Sequence, residues 1–447
     1  MSVLALSLLT FFACDESPEE VVDPVPPPAG FVWSDDAGQF DLSMGLRAEK
    51  VEAGVDGPWS LRVAGHAVGD LSSRRTGALE GALLSSLAYV DTDAPSPTGG
   101  LRAGSTDDNA AFSDYLAYLE ASYGTLDASG IRTLDVTERR AIVAVDPSGA
   151  PVPGARVSVL DAETERLLWT ARTYGDGRAP FYPHLYEEDS GSEAWVVQVE
   201  HQGSFEVARW DGSGDELRVT VDAERDAKLA VDVCFVIDTT GSMADEIARV
   251  KQTLLSVTDK LTGEAEVDLR YGAVLYRDLG DAYLTSQHAF TGDIASFNDA
   301  LQAIEAGGGG DGPESLNQGL AVATSGMAWR EGAAKVAFLI ADAPPHMDYQ
   351  DDVPYDRAAL AAIHNGIRIH TVAASGLDDR GSLVFRQVAQ LTRGAFIFIE
   401  YGSTAESAAD HGVTGPVASN NLDQIIFEQI RDEIQGWGRA PRAVTSR

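Results

Sequence analysis

Three loops in this sequence, each read as following a buried strand, end in oxygen-bearing side chains, and they constrain what the chain around them can fold into. The first is Val231-Asp-Val-Cys-Phe-Val-Ile-Asp238-Thr-Thr240-Gly-Ser242, where an apolar run gives way to a carboxylate and two hydroxyls at alternate positions. The second is Gly307-Gly-Gly-Gly-Asp311-Gly-Pro-Glu314-Ser, and the third is Val336-Ala-Phe-Leu-Ile-Ala-Asp342-Ala-Pro-Pro-His346. In an open α/β sheet, loops at the carboxyl ends of neighbouring strands converge on one crevice, so residues far apart in sequence meet there. A hard divalent cation takes such a mixture of carboxylate, hydroxyl and water oxygens.

The periodicity between the loops agrees with a doubly wound domain. Ile247, Val250, Leu254 and Leu261 recur at helical spacing, and Val267 to Tyr276 then reads as a strand. Ile294, Phe297, Leu301 and Ile304 mark a second amphipathic helix, and Val336 to Ile340 is the continuous apolar run of a strand buried on both faces. Ile367 to Ala374 and Ala395 to Ile399 repeat that strand pattern, with Leu383, Val388 and Leu391 on a helix between them. Leu422, Ile426, Ile430 and Ile434 form the stripe of a closing helix. Strands alternating with helices predict a parallel central sheet.

These residues resemble a known family. Asp238-x-Thr240-x-Ser242 is similar to the Asp-x-(Ser/Thr)-x-Ser element of the metal-ion-dependent adhesion site in von Willebrand factor A domains. The glycine-rich second loop and Ile-Ala-Asp-Ala-Pro-Pro-His look like the branch found in bacterial surface proteins, in hemicentin-type matrix proteins and beside alpha-kinases. The resemblance covers residues 229–436 and implies a Rossmann-like α/β fold. It implies a site for Mg²⁺, with Ca²⁺ or Mn²⁺ as substitutes, in which Asp238, Thr240, Ser242 and Asp342 are ligands or their water-mediated partners. The second loop departs from the family's commonest form, which has a threonine where Gly310 stands. Asp311 is the nearest oxygen donor and the candidate replacement, with direct and water-mediated contact both open. The partner implied is a protein that presents an Asp or Glu carboxylate to the ion.

Each motif has a plainer reading. Asp-Thr-Thr-Gly-Ser has the composition of a helix N-cap. The glycine run has the look of a phosphate cradle, but no Gly-Lys-Ser/Thr follows and Asp311 and Glu314 repel phosphate. His346 reads as a loop-packing residue, because hard oxygen sites do not need imidazole. Cys234, inside the first apolar run, reads as a small buried hydrophobe.

Upstream, residues 139–224 carry short β-rich runs, Ala141 to Val145, Ala155 to Leu160, Leu167 to Thr173, Ala194 to His201, Ser204 to Trp210 and Leu217 to Val221. Turn signals separate them, which predicts an antiparallel β-sandwich. Asp146-Pro-Ser-Gly149-Ala-Pro-Val-Pro-Gly154, followed by a Thr-x-x-Asp-Gly-Arg turn at 173–178, resembles the carboxypeptidase-regulatory, transthyretin-like module. Residues 38–138 are left without an assigned fold, except that Asp107, Asp108 and Asn109 cap a helix with Phe112, Tyr115, Leu116 and Leu119 on its apolar face. The acidic pair there reads as cap and solvated surface.

The N-terminus gives an address. Thirteen residues, almost all apolar, lead to Cys14, a stretch too short to span a bilayer but long enough for a signal-peptide core. Residues 1–14 resemble a bacterial lipoprotein signal in which Cys14 is lipidated, although no Lys or Arg precedes the run and Phe11 stands where leucine is usual. Residues 15–37 form an acidic, proline-rich tether, and 437–447 a C-terminal tail. The expected location is the bacterial cell envelope, with the membrane engaged only through the lipid.

Composition excludes some partners. With 33 Lys+Arg against 69 Asp+Glu the formal net charge is −36, so neither nucleic acid nor an anionic membrane surface finds a basic patch. No His-Glu-x-x-His helix, Gly-x-Ser-x-Gly turn or kinase signature is present. The reading is therefore a tethered, metal-dependent protein-binding module rather than an enzyme. The alternatives are a structural envelope protein whose metal stabilises its loops, and a metal-assisted enzyme with its catalytic region near the N-terminus.

Overall fold

The computed structural model describes residues 31–32, 41–42, 100–126, 130–185, 194–224, 228–261, 267–310 and 312–438. Cys14, most of the tether, Asp311 and residues 439–447 lie outside the described residues. β1 (Phe31–Val32) pairs antiparallel with β2 (Asp41–Leu42). β3 (Arg102–Thr106) is followed by α1 (Phe112–Leu126), and Asp107, expected from the sequence to cap that helix, instead closes the turn that precedes it. The Asp107 carboxylate accepts from the backbone N–H groups of Asn109 and Ala110 at 2.8 and 3.3 Å. Tyr115 and Leu119 of the predicted apolar face are buried.

A β unit follows: β4 (Arg140–Val145), β5 (Arg156–Asp161), β6 (Leu167–Arg172), β7 (Arg178–Phe181), β8 (Trp195–His201), β9 (Ser204–Trp210) and β10 (Glu216–Thr220). Its strands form two sheets, β10-β4-β7 and β6-β5-β8-β9. Ile142 and Phe181 of the first share a core with Val157, Trp195 and Val197 of the second. Two details depart from the sequence reading. β7, Arg-Ala-Pro-Phe, lacks a strand-like pattern yet all four residues are buried. β10 runs parallel to β4, because it returns only after five intervening strands and no hairpin forces it to reverse.

The α/β unit consists of β11 (Leu229–Asp238), α2 (Ala244–Leu261), β12 (Val267–Tyr276), β13 (Thr285–Thr291), α3 (Ile294–Gln302), α4 (Leu316–Ala321), β14 (Ala334–Ala341), α5 (Tyr355–Asn365), β15 (Ile367–Ala373), α6 (Asp379–Leu391), β16 (Phe396–Ile399), α7 (Thr404–Asp410), β17 (Ala418–Asn421) and α8 (Leu422–Gly438). The sheet order is β13-β12-β11-β14-β15-β16-β3-β17. The five central strands, β12-β11-β14-β15-β16 in sheet order, are parallel as expected. The sheet as a whole is mixed, which corrects the expectation of a parallel one. β13 is joined to β12 by a short connection and so pairs antiparallel, and β3 enters from upstream with no crossover helix to set its direction.

Alternation along β11 divides the core. Val231, Val233, Phe235 and Ile237 face α2, α3 and α8, while Cys234 and Val236 face α4, α5 and α6. Removing a side chain such as Phe235 from such a layer costs about 3–5 kcal/mol. Burial pushes the Cys234 thiol up, so it stays protonated and inert, as the sequence reading has it. Ala359, Leu360 and Ile363 of α5 and Leu383 and Leu391 of α6 belong to the same core as the β unit. The Tyr182 hydroxyl donates to the carbonyls of Gln390 and Leu391 across that junction. With β11 and β14 held side by side, their carboxyl ends open at one edge of the sheet.

Candidate functional site

β11 ends where Asp238 turns its carboxylate back on the following loop. Asp238 Oδ1 accepts from the Thr240 backbone N–H at 2.9 Å and from Thr240 Oγ1 at 2.7 Å. Thr240 Oγ1 lies 3.1 Å from Ser242 Oγ, and Ser242 Oγ donates to Asp342 Oδ1 at 3.0 Å. The structure thus brings Asp238, Thr240, Ser242 and Asp342 into one connected chain of oxygens. Asp238 and Thr240 are fully buried at its floor, Asp342 is buried, and Ser242 is exposed at its mouth. Thr240 does not serve as a cap, since its side chain makes no capping bond to the helical turn at Gly241–Met243.

The second loop follows α3 rather than a buried strand, which corrects the sequence reading, and backbone bonds hold it against the first. Gly241 N–H donates to Gly308 O at 3.0 Å and Gly307 N–H to Thr239 O at 2.9 Å. At its far end the loop is tied to the third, with Glu314 N–H donating to Pro344 O at 3.0 Å and His346 N–H to Glu314 O at 3.1 Å. Asp311 lies outside the described residues. In the described part of the loop the buried carboxylate belongs to Glu314, which the sequence reading noted only as a repeller of phosphate. Asp278 and Asp281, after β12, were also not singled out. Asp278 accepts from Ser315 Oγ at 2.9 Å and from the Tyr349 hydroxyl, and Asp281 accepts from Gly309 N–H at 2.8 Å. His346 behaves as a loop-packing residue: its ring stacks on Tyr349 with centroids 4.0 Å apart and its Nδ1 lies 2.8 Å from Asp348 Oδ1.

Electrostatics set this crevice apart. Burial, with the Asp342 charge adding to it against the Thr240 hydrogen bonds, pushes the Asp238 carboxyl up to about 7. Burial and the charges of Asp238, Asp278, Asp281 and Asp342 push Glu314 up to about 8. Asp342 is raised by burial and by Glu246, against the bond from Ser242. Asp238 Oδ2 and Glu314 Oε2 are buried with no hydrogen-bond partner. The Tyr276 hydroxyl is close enough to Asp238 to act as a weak hydrogen-bond donor that counters the rise, although the pair does not reach regular hydrogen-bond geometry. Anionic oxygens buried without donors call for a proton or a cation. Two carboxylates and two hydroxyls fit a hard divalent ion, whose remaining positions take water. Among the described residues no three His, Cys, Asp or Glu side chains form a metal cage by themselves.

Residues 232–355 match the family model of the von Willebrand factor A domain. The chain carries a von Willebrand factor A domain. The matched span begins in β11 and contains all three loops, so the A domain holds every residue of the crevice. Over 134 residues the chain is 34% identical to the alpha-protein kinase vwkA of Dictyostelium discoideum, an alignment covering 30% of this chain and 21% of the kinase. Among solved structures it is similar to BatB from Bacteroides thetaiotaomicron, with 14% identity, TM-score 0.32, 46% of this chain and 99% of that one covered. It is also similar to the pilus adhesin SpaC from Lactobacillus rhamnosus GG, with 13% identity, TM-score 0.33, 55% of this chain and 32% of that one covered. The chain spans about a fifth of the kinase's length.

Proposed function

We propose that this chain is a metal-ion-dependent protein-binding module whose A domain captures an acidic side chain of a partner protein. The observation that carries the reading is Asp238 Oδ2, a buried carboxylate oxygen without a partner, at the floor of a crevice lined by Thr240, Ser242 and Asp342. Asp238, Thr240, Ser242 and Asp342 would hold Mg²⁺, or Ca²⁺ or Mn²⁺ in its place, with Asp311 as a further donor, direct or through water. When bound, the ion supplies an electrophilic position that a partner's Asp or Glu carboxylate completes. Thr240 and Ser242 are neutral, so they orient the site without cancelling the ion's charge. Ser242, exposed at the mouth, lines the approach.

The reading includes an address: Cys14 carries a lipid, residues 15–37 are a tether, and the β unit holds the A domain away from a bacterial envelope membrane. Phase partitioning into detergent tests the anchor, with Cys14→Ser expected to abolish it. A wild-type protein that keeps Met1 and stays in the aqueous phase, in a host with intact lipoprotein processing, overturns the anchor.

Binding is tested by pull-down from envelope extracts with and without EDTA. Chelation and the double substitution Thr240→Ala with Ser242→Ala are each expected to abolish capture while the melting profile stays cooperative. Capture that survives both replaces this reading with a structural role.

A further inference from the structure

The sequence offers Asp311 as the second loop's donor, and the described part of that loop carries a second, buried carboxylate beside the crevice. We propose that Glu314 is the second loop's anionic partner of the cation, acting through an ion-bound water, and that it sets how strongly the site takes a carboxylate from outside; the proposal rests on the metal-dependent reading above. Glu314 is 3% exposed, although it precedes a helix at the surface end of the sheet. Its backbone is bonded to Pro344 and His346 of the third loop, which ties this end of the glycine run in place.

The side chain is aimed at the crevice. A Cβ placed on Gly309 would stand 2.6 Å from Glu314 Oε1 and 3.1 Å from Thr240 Cβ, too close for a methyl group, so carboxylate and threonine both pack against this glycine. Gly309 has φ +70°, which only glycine adopts at little cost, and the missing Cβ is what allows so close an approach. Glu314 Oε2 is buried without a hydrogen-bond partner, and so is Asp238 Oδ2 in the same crevice. No described basic side chain is hydrogen-bonded or ion-paired to either oxygen. Two such oxygens are stabilised together by one cation. Among the described residues Asp238, Asp342 and Glu314 are not grouped as a cage of three carboxylates, and a water between Glu314 and the ion is the contact this proposal takes.

The consequence has two opposite signs. A third carboxylate near the ion raises cation affinity by Coulomb attraction. The same charge repels an incoming partner carboxylate and holds the water that the partner must displace. Glu314→Gln keeps the shape and removes the charge.

Isothermal titration of the full chain with MgCl₂ and CaCl₂, followed by titration of the metal-loaded protein with a glutamate-containing peptide, reads both signs. Glu314→Gln is expected to weaken cation binding about tenfold or more and to tighten peptide binding, while Asp311→Asn changes cation binding less than threefold. Circular dichroism melts confirm that each variant folds. If Asp238→Asn abolishes cation binding but Glu314→Gln leaves it unchanged, Glu314 is not the ion's partner and the metal site stands without it. If Asp311→Asn has the larger effect, Asp311 holds that place. If the wild type binds neither cation, the metal reading fails and this proposal with it.

Discussion

Arg386 of α6 holds Asp108 in a two-pronged ion pair, Nε to Oδ2 at 2.9 Å and Nη2 to Oδ1 at 2.7 Å, across 278 residues of sequence. Both side chains are nearly inaccessible, and Arg386 also donates to the His411 and Gly412 carbonyls and lies 3.7 Å from the Tyr118 ring centroid. Asp108 is therefore not solvated surface, as the sequence reading has it, but the anchor of the segment that carries β3 into the sheet. Asp108→Ala leaves a buried guanidinium without its carboxylate and is expected to cost about 3–5 kcal/mol. Urea unfolding checks it, and replacing both partners with leucine is expected to recover much of the loss. Equal stability of wild type and Asp108→Ala would show that the upstream segment is not integral to the α/β unit.

A second buried carboxylate gives a pH dependence. Asp232 of β11 is inaccessible; burial works to raise its pKa, but bonds from Arg270 and Arg330 outweigh burial and hold it below the ordinary carboxylate range. A depressed carboxylate contributes stability that is present above its unfolded pKa and is lost as pH falls through the folded one. Asp232→Asn is thus expected to be destabilised at pH 7, with its gap from wild type closing as pH falls below about 4. Melting temperatures across that range check it. A gap that is constant with pH would mean that the aspartate acts by shape alone.

Much of the A-domain fold is legible because its inner strands are buried on both faces. β11, β14 and β15 read as continuous apolar runs, and the loops that end β11 and β14 bring Asp238, Thr240, Ser242 and Asp342 together. β3 has no such signal. Its Arg-Ala-Gly-Ser-Thr is small and polar, and its burial is imposed by Phe398 and β17 on either side. β13, Thr-Ser-Gln-His-Ala-Phe-Thr, is a half-buried edge strand and carries no continuous run. Glu314 escapes for a similar reason: its burial comes from a bridge to Pro345, a contact that no local spacing encodes.

The β3 placement makes a steric prediction. A Cβ on Gly104 would stand 2.3 Å from the Phe398 ring and 3.0 Å from Val417, so the strand fits between its neighbours only without a side chain. Gly104→Val is expected to destabilise by about 1–3 kcal/mol through overpacking, and Phe398→Leu in the same chain to relieve part of it. Denaturant midpoints of the single and double variants give the coupling. Simple additivity would place Gly104 away from Phe398 in solution.

The last prediction concerns the ion itself. Asp238 is buried with one oxygen unpartnered, so without a cation the native state carries an uncompensated cost that the unfolded chain does not. A ligand that binds only the native state stabilises it by about 2.7 kcal/mol at a hundredfold excess over its Kd. Mg²⁺ is therefore expected to raise the melting temperature and EDTA to lower it. Asp238→Asn keeps an acceptor for Thr240 while removing the charge, and so should lose the response to Mg²⁺ without melting lower than wild type in EDTA. Calorimetric scans of both proteins, each with EDTA, Mg²⁺ and Ca²⁺, separate the two effects. Identical wild-type scans in all three conditions would leave a protonated Asp238 as the explanation for the unpartnered oxygen and remove the cation from the site.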